Sequence, residues 1–522
     1  MNCPKHFLCY CQKEHDNLDH SDSEFSSINC TGNRITEKMN FEMIENVTIR
    51  EFVLHNTSIN RITNQTLSYL RMSDLKIADQ YTHIDKNAFV SLQNTLTNIS
   101  LININVSRTW NLDFLRDLHI KYLSLNRNGN YPEHLPDAMF RNLNLTELRF
   151  LSMQDCGIVE IMDDSFAGLV SLETLDLSHN NIPQIGKWIQ VLTNLKTVNL
   201  SHNGRLIYVG DNAFYTLHKL ETLDLSHTGI NAILESAFVG LENSLKVLSI
   251  HHAQLQHGHF STMRILRKLQ SLDISYNKIV EMHNTSFIGF ASLQELDISG
   301  QRDRQGREVV SLNFIDSVFR GLEQTLKVLN LRDLMLTSVP LAALSPLINL
   351  EVIELSDNDF TEIYEDFFYG VHASTIYMKH MKVNEVSSDA FRTNTRGLHV
   401  VFDDNDIANL SFILDTDRCK FRRISFLDNP VQCDCDVLEI VSTKRVSEII
   451  GACHDGIFRG EELSTLHKLP VTKTICDTQS FENVTTNCVY VTRSCALYIS
   501  IDLRLYLWVI LSCFSVSYFV YI

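Results

Sequence analysis

The chain has 522 residues, of which 44% are apolar and 20% charged, and a formal net charge of −17. That apolar content supports a sizeable core and excludes a largely disordered chain. No block of Lys or Arg interrupts the acidic excess, so the electrostatic footprint of a nucleic-acid binder is absent, and a partner steered by charge would be basic.

The chain opens Met1-Asn2-Cys3-Pro4 with no apolar stretch ahead of the first cysteine, so no secretory signal is visible and the true start is expected upstream. Cys3, Cys9, Cys11 and Cys30 then crowd a short segment, predicted to be an N-terminal cap over residues 1–36. Their partners in distribution are Cys433, Cys435, Cys453 and Cys476 near the other end. Cysteines gathered at two ends point to disulfides made in an oxidising compartment, as in an extracellular protein. Glycosylation sequons agree with export: Asn29, Asn46, Asn56, Asn64, Asn98, Asn105, Asn144, Asn199, Asn284, Asn409 and Asn483 each head an Asn-x-Ser/Thr triplet.

From about Ile49 onward the frame Leu-x-x-Leu-x-Leu-x-x-Asn recurs at a spacing of about 24 residues, irregularly before Asn128. Clear copies are Leu172, Leu175, Leu177 and Asn180; Leu195, Val198, Leu200 and Asn203; and Leu220, Leu223, Leu225 and Thr228. The frame continues through Leu269 to Asn277 and Leu350 to Asn358, and ends at Phe421, Ile424, Phe426 and Asn429. About sixteen copies fill residues 37–430. The Leu-x-Leu pair alternates with the period of a short strand, so each copy is predicted to add one parallel strand. The Asn amide is suited to satisfy buried backbone between adjacent turns. A second series in phase, Phe89, Phe140, Phe166, Phe214, Phe238, Phe287, Phe319, Phe368 and Phe391, is predicted to fill the opposite edge. No turn buries its own apolar face, so the array needs neighbours and a lid at each end.

Outward positions form columns. His179, His202, His227 and His252 occupy one place in four successive copies, and Tyr276 follows; on strands about 4.8 Å apart the rings would stack and charge near pH 6. The plain alternative is that Leu-Ser-His-Asn is merely a common phrase of such repeats. Asp176, Asn199, Asp224, Asp273, Asp297 and Glu354 form a second, acidic column, able to meet a basic partner or simply to be solvated. His251, His252, His257 and His259 fall close together, but their spacing fits no regular ligand set and no metal is expected. An insertion after Gln301 carries Arg302, Arg304 and Arg307 and is either a binding loop or a solvated bulge. Cys156 takes an Asn position, where a buried structural thiol is expected. The roles of Cys419, Cys488 and Cys495 are left open, apart from a loose pairing of the last two.

The C-terminal cysteines sit in Asn429-Pro430-x-x-Cys433-x-Cys435, with Cys453 and Cys476 completing the pattern. With the repeat frame, this resembles the extracellular leucine-rich-repeat family. The phrases Leu245 to Leu248 and Leu326 to Leu329 look most like chaoptin-like adhesion proteins, with Toll-like receptor ectodomains and the Slit group close behind. The resemblance implies an α/β repeat solenoid, a horseshoe with a parallel concave sheet and disulfide-capped ends. It also implies pairing of Cys433 with Cys453 and of Cys435 with Cys476 in a cap over residues 431–488. The sequence after the cap shows no signalling domain of the kind Toll-type receptors carry, so Toll-type signalling by this chain itself is not expected.

Residues 489–504 read as a stalk and anchor-signal region, and 505–522 as a charge-free apolar tail. Arg493 and Arg504 precede that tail and no basic residue follows it, unlike a stable span. The small triplet Ser494-Cys495-Ala496 instead suits attachment of a glycosylphosphatidylinositol anchor at Ser494; a transmembrane span is the alternative. A catalytic Gly-x-Ser-x-Gly elbow, a His-Glu-x-x-His motif and a phosphate-binding glycine loop are all missing, and an open curved surface suits chemistry poorly. The expectation is a non-enzymatic, cofactor-free protein on the outer face of the plasma membrane that binds a protein ligand or its own kind across the concave face, and no nucleic acid. Its alternatives are an innate-immune receptor or co-receptor, or a secreted matrix protein.

Overall fold

The computed structural model describes residues 9–12, 25–32, 48–79, 82–104, 110–128, 133–256, 260–301, 313–314, 317–469 and 476. The chain divides into Met1–Val484 and Thr485–Ile522, and every described residue belongs to the first unit. The calls on Cys3, Asn46, Asn105, His257, His259, Arg302, Arg304, Arg307, Asn483, Cys488, Ser494, Cys495 and the apolar tail lie outside the described residues. Among the described residues no helix is long and apolar enough to cross a membrane.

The repeat frame winds into a parallel-strand solenoid of about sixteen turns. Nineteen described strands form one sheet, from Tyr10–Gln12 to Glu448–Ile450, and most span only three residues. Their brevity follows from the frame: the middle residue points inward and its two neighbours outward, and the chain then turns away. Register is kept from turn to turn. Leu175 pairs with Val198, and the row continues through Leu223, Leu248, Leu272, Leu296, Leu329, Ile353, Ile376, Val400 and Ile424. All of these are essentially fully buried, and each such side chain contributes roughly 1.5–3 kcal/mol of burial free energy.

On the far side of each turn the phenylalanine series closes the core. All nine predicted members are buried, and rings from adjacent turns lie against one another, as in Phe140–Phe166 at 6.0 Å and Phe368–Phe391 at 5.1 Å. Trp188 takes the phenylalanine place in a turn that lacks one, 5.7 Å from Phe166. A glycine two residues after the phenylalanine is part of this packing. Gly240 holds φ near +100°, and a Cβ there would stand 2.5 Å from the Tyr215 carbonyl oxygen of the preceding turn.

Asparagines pin turn to turn, as the frame predicts. The Asn277 amide donates to the carbonyls of Ile250 (2.8 Å) and Ile274 (2.9 Å), and its oxygen accepts from the Leu255 amide (3.0 Å). Asn128, Asn180, Asn203, Asn358, Asn405 and Asn429 do the same work. Gln301 reproduces it with a longer side chain, whereas Thr228 makes only a bond to Leu225 O within its own turn. At the same place Cys156 is buried and unpaired; its thiol donates to Leu125 O at 3.0 Å, and burial pushes its pKa up to about 12.

Both cysteine-rich flanks continue the sheet. Tyr10–Gln12 pairs antiparallel with Phe25–Thr31, which pairs parallel with Thr48–His55. That register sets Tyr10 opposite Asn29, so Cys9 faces Cys30, and the two are joined. At the other end Glu448–Ile450 follows Phe421–Ser425 in parallel. Disulfides join Cys433 to Cys453 and Cys435 to Cys476 around the helix Cys435–Ser442, whose first turn is capped by the Asp434 carboxylate. Cys11 and Cys419 also carry disulfide bonds.

Candidate functional site

The sheet edge where the strands end carries the densest chemistry. In the strand Thr174–Asp176 the third residue faces outward, and its carboxylate accepts the amide of Ser178 at 2.9 Å. Leu177 then turns inward, Ser178 is buried, His179 adopts φ of +56°, and Asn180 closes the turn. Thus the phrase Leu-Asp-Leu-Ser-His-Asn encodes strand, cap, anchor, small residue, left-handed turn and ladder.

This corrects the placement of the histidine column. His179, His202, His227 and His252 are not on strands but three residues beyond the strand ends, with φ between +50° and +57°; Tyr276 has +51°. Asp, Asn and His are the side chains most tolerated there apart from glycine, and the same column elsewhere holds Asp155, Asp333, Asp357, His380, Asp404 and Asp428. The backbone amides of the four histidines and Tyr276 each donate to a carbonyl of the next turn, as His179 does to Ser201 O at 3.0 Å and His252 to Ser275 O at 3.0 Å. Turn-to-turn spacing then sets ring spacing. Successive centroids from His179 to Tyr276 stand 4.0, 4.2, 4.4 and 4.4 Å apart, with the ring planes nearly parallel. Tyr276 ends the stack by covering Gly300, where a Cβ would meet its ring at 2.5 Å. Burial, and then the like charge of neighbouring imidazoles, lowers the pKa of His202 and His252.

His251 stands apart from this pattern. It fills the place that Ser178, Ser201, Ser226, Ser275, Ser299 and Ser356 hold in other turns, all of them buried. Its ring meets His227 edge-on at 4.9 Å, and its Nδ1 lies 2.9 Å from Nδ1 of His252. Ligating nitrogens of His227, His251 and His252 all fall within 4.8 Å of one another. The proximity of His251, His252, His257 and His259 in sequence pointed elsewhere; the third ring comes from the preceding turn, and the 24-residue column through His227 was the signal.

The acidic column is on the outward side of the strands but is not an open stripe. Asp176, Asn199, Asp224, Asp273, Asp297 and Glu354 each accept the amide two residues on, at 2.8–3.0 Å. Asp273 and Glu354 are buried. Burial raises the pKa of both, and burial together with the charge of Asp273 raises Asp297 to about 6. Because Asn199 and Asn330 cap their turns with an amide oxygen, Asp273→Asn keeps the cap and removes a poorly solvated charge. A carboxyl whose pKa is raised by folding opposes stability above that pKa and ceases to do so as pH falls through it to 3.8. Asp273→Asn is therefore expected to stabilise the chain at pH 7.5. The gain should shrink as pH falls from neutrality toward 4, which paired urea titrations of variant and parent would read.

A cleft of about 620 Å³ lies along the same edge, lined by Tyr276, Arg332, Asp357, Phe360 and His380. Arg332 pairs with Asp357, and His380 reaches Asp404 at 3.4 Å. Tyr122 and Phe150 stack at 4.3 Å on the outward face of adjacent strands. Of the sequon asparagines, Asn29, Asn56, Asn64, Asn144, Asn284 and Asn409 are exposed, while Asn98 and Asn199 are half-buried on strands.

Two descriptions of one repeat type match the chain: leucine rich repeat over residues 146–204, 193–244 and 243–302, and BspA type leucine rich repeat region over 21–144 and 313–413. This is a leucine-rich-repeat protein. Among solved structures, the leucine-rich-repeat chain is similar to TLR13 in its complex with ssRNA13, at 20% identity and a TM-score of 0.61, over 82% of this chain and 65% of that one. The chain thus spans just under two thirds of that relative. It also resembles Toll in the Drosophila Toll–Spatzle complex (15% identity, TM-score 0.52, 88% of this chain and 75% of that one). A third likeness is to the mouse RP105/MD-1 complex (16% identity, TM-score 0.54, 80% of this chain and 74% of that one). These likenesses establish the shared fold.

Proposed function

We propose that this chain is a cell-surface adhesion or recognition protein that binds a protein ligand, or a second copy of itself, through the outward face of its repeats. It catalyses no reaction and takes no nucleic acid. The observation that carries this reading is the outward face of the paired strands among the described residues, on which residues such as Thr174, Thr197, Thr222 and Val247 stand in one row with the stacked Tyr122 and Phe150. Such a surface offers extended contact area and aromatic anchors, the means by which proteins bind proteins. Disulfides at both ends favour an oxidising, extracellular setting. In this reading several of the exposed sequon asparagines carry glycans, and a lipid anchor at Ser494 replaces the apolar tail and holds the protein on the outer face of the plasma membrane.

Mixing cells that express the full chain with cells that do not is the test of adhesion. Clustering among expressing cells alone indicates self-association, and mixed clusters indicate a different partner. If neither forms while microbial ligands are retained by the purified chain, the alternative of an innate-immune receptor or co-receptor replaces adhesion. Treatment with a phosphatidylinositol-specific phospholipase should release the protein from intact cells; retention would overturn the lipid anchor.

A further inference from the structure

We infer that His227, His251 and His252 form a binding site for a divalent transition metal of the zinc class, at the strand-end edge of the sheet. The donor chemistry fits. Three imidazoles supply three nitrogens, a ligand set that suits zinc, copper or nickel far better than calcium or magnesium and leaves one position for water or a partner's side chain. The nitrogens already lie within 4.8 Å of one another. With metal–nitrogen bonds of about 2.0–2.1 Å, ligating atoms of a tetrahedral site stand about 3.3 Å apart, so binding turns the His227 and His252 rings slightly out of their stack toward His251. Backbone positions are fixed beforehand, because the His227 amide donates to His251 O at 2.9 Å and the His252 amide to Ser275 O at 3.0 Å.

The fold explains two of these histidines but not the third. His227 and His252 occupy the left-handed turn position, where histidine is tolerated for conformational reasons. His251 is outside that left-handed position; its place holds a small buried serine in the turns on either side, Ser226 and Ser275, and in Ser178, Ser201, Ser299 and Ser356, while Asn126, Gln154, Arg332, Lys379, Asp403 and Leu427 take it elsewhere. An imidazole here is partly desolvated and leans over its two neighbours instead of filling the core. Asp224 and Asp297 act on the His251 ring and supply negative charge that favours a cation beside it.

The test is zinc titration of the full chain, purified without a polyhistidine tag, by calorimetry at pH 7.5. The expected result is one saturable site per chain. Even an outer partner of a metal ligand is worth about 10- to 100-fold in affinity, so His251→Ser should weaken zinc by at least about 100-fold. This variant installs the residue found at the same place in neighbouring turns, so the fold is preserved, which the thermal unfolding midpoint would verify. His179→Asn, at the far end of the ring stack, should bind zinc as the parent does. Absence of saturable zinc binding by the parent, or equal binding by His251→Ser, would overturn the site. Loss of zinc in His179→Asn would move binding to the ring stack and would equally overturn it.

Discussion

Replacing Asn277 by alanine should lower the urea-unfolding midpoint more than any single surface change, with a loss of roughly 3–5 kcal/mol. The side chain is buried, and its amide serves the carbonyls of Ile250, Ile274 and Ser275 while its oxygen takes the Leu255 amide. Alanine removes every one of these bonds without admitting water, so several backbone groups are left desolvated and unpaired, at about 1–3 kcal/mol each. Because the bonds cross between turns, the loss falls on the coupling of neighbours, the quantity that makes a solenoid unfold as a unit. The unfolding transition should therefore broaden as well as shift. Asn277→Gln is expected to lose less, since Gln301 makes the corresponding bonds to Ile274 O, Ile298 O and the Ile279 amide. An alanine variant as stable as the parent would mean that the asparagine ladder follows from the turn geometry and does not sustain it.

That ladder was legible in the sequence because period and chemistry coincide: a residue with two donors and an acceptor recurs wherever a leucine frame closes. The inward leucines and the phenylalanine series were legible for the same reason, as each is a residue type repeated in one phase. What the sequence did not disclose depends on backbone conformation or on contacts between turns. The histidine column was visible, but its position was misread, because the strand ends at Asp176 and the left-handed turn that holds His179 leaves no mark in a hydrophobic pattern. The carboxylates were recognised as outward, yet their bonds to the amides two residues on depend on the torsions of each turn. Convergence of His227 on His251 depends on two turns lying side by side, and the nearer histidines in sequence drew attention away from it. The cysteine clusters marked the ends, but not that Tyr10–Gln12 and Glu448–Ile450 extend the sheet into them.

Those ends are where the second large effect is expected. The bond between Cys435 and Cys476 spans 41 residues, and closing a loop of that length removes about 4 kcal/mol of conformational entropy from the unfolded chain. The double variant Cys435→Ser/Cys476→Ser should lose a stability of that order, and lose it locally. The helix Cys435–Ser442 buries Val437, Leu438 and Ile440 against the segments Phe412–Asp415 and Leu463–Lys468. With the tether gone, that lid opens over the last turns while the central strands, each flanked on both sides, remain paired. Amide exchange should therefore rise first in Phe421–Ser425 and Glu448–Ile450 and stay slow in Thr174–Asp176. Opening also uncovers the outer side of Glu448–Ile450, the last described strand, an edge able to add strands from other chains, so the variant should aggregate at temperatures the parent tolerates. Uniform acceleration of exchange along the whole sheet would instead show that the end disulfide stabilises all the turns at once, and that the array has no separable lid.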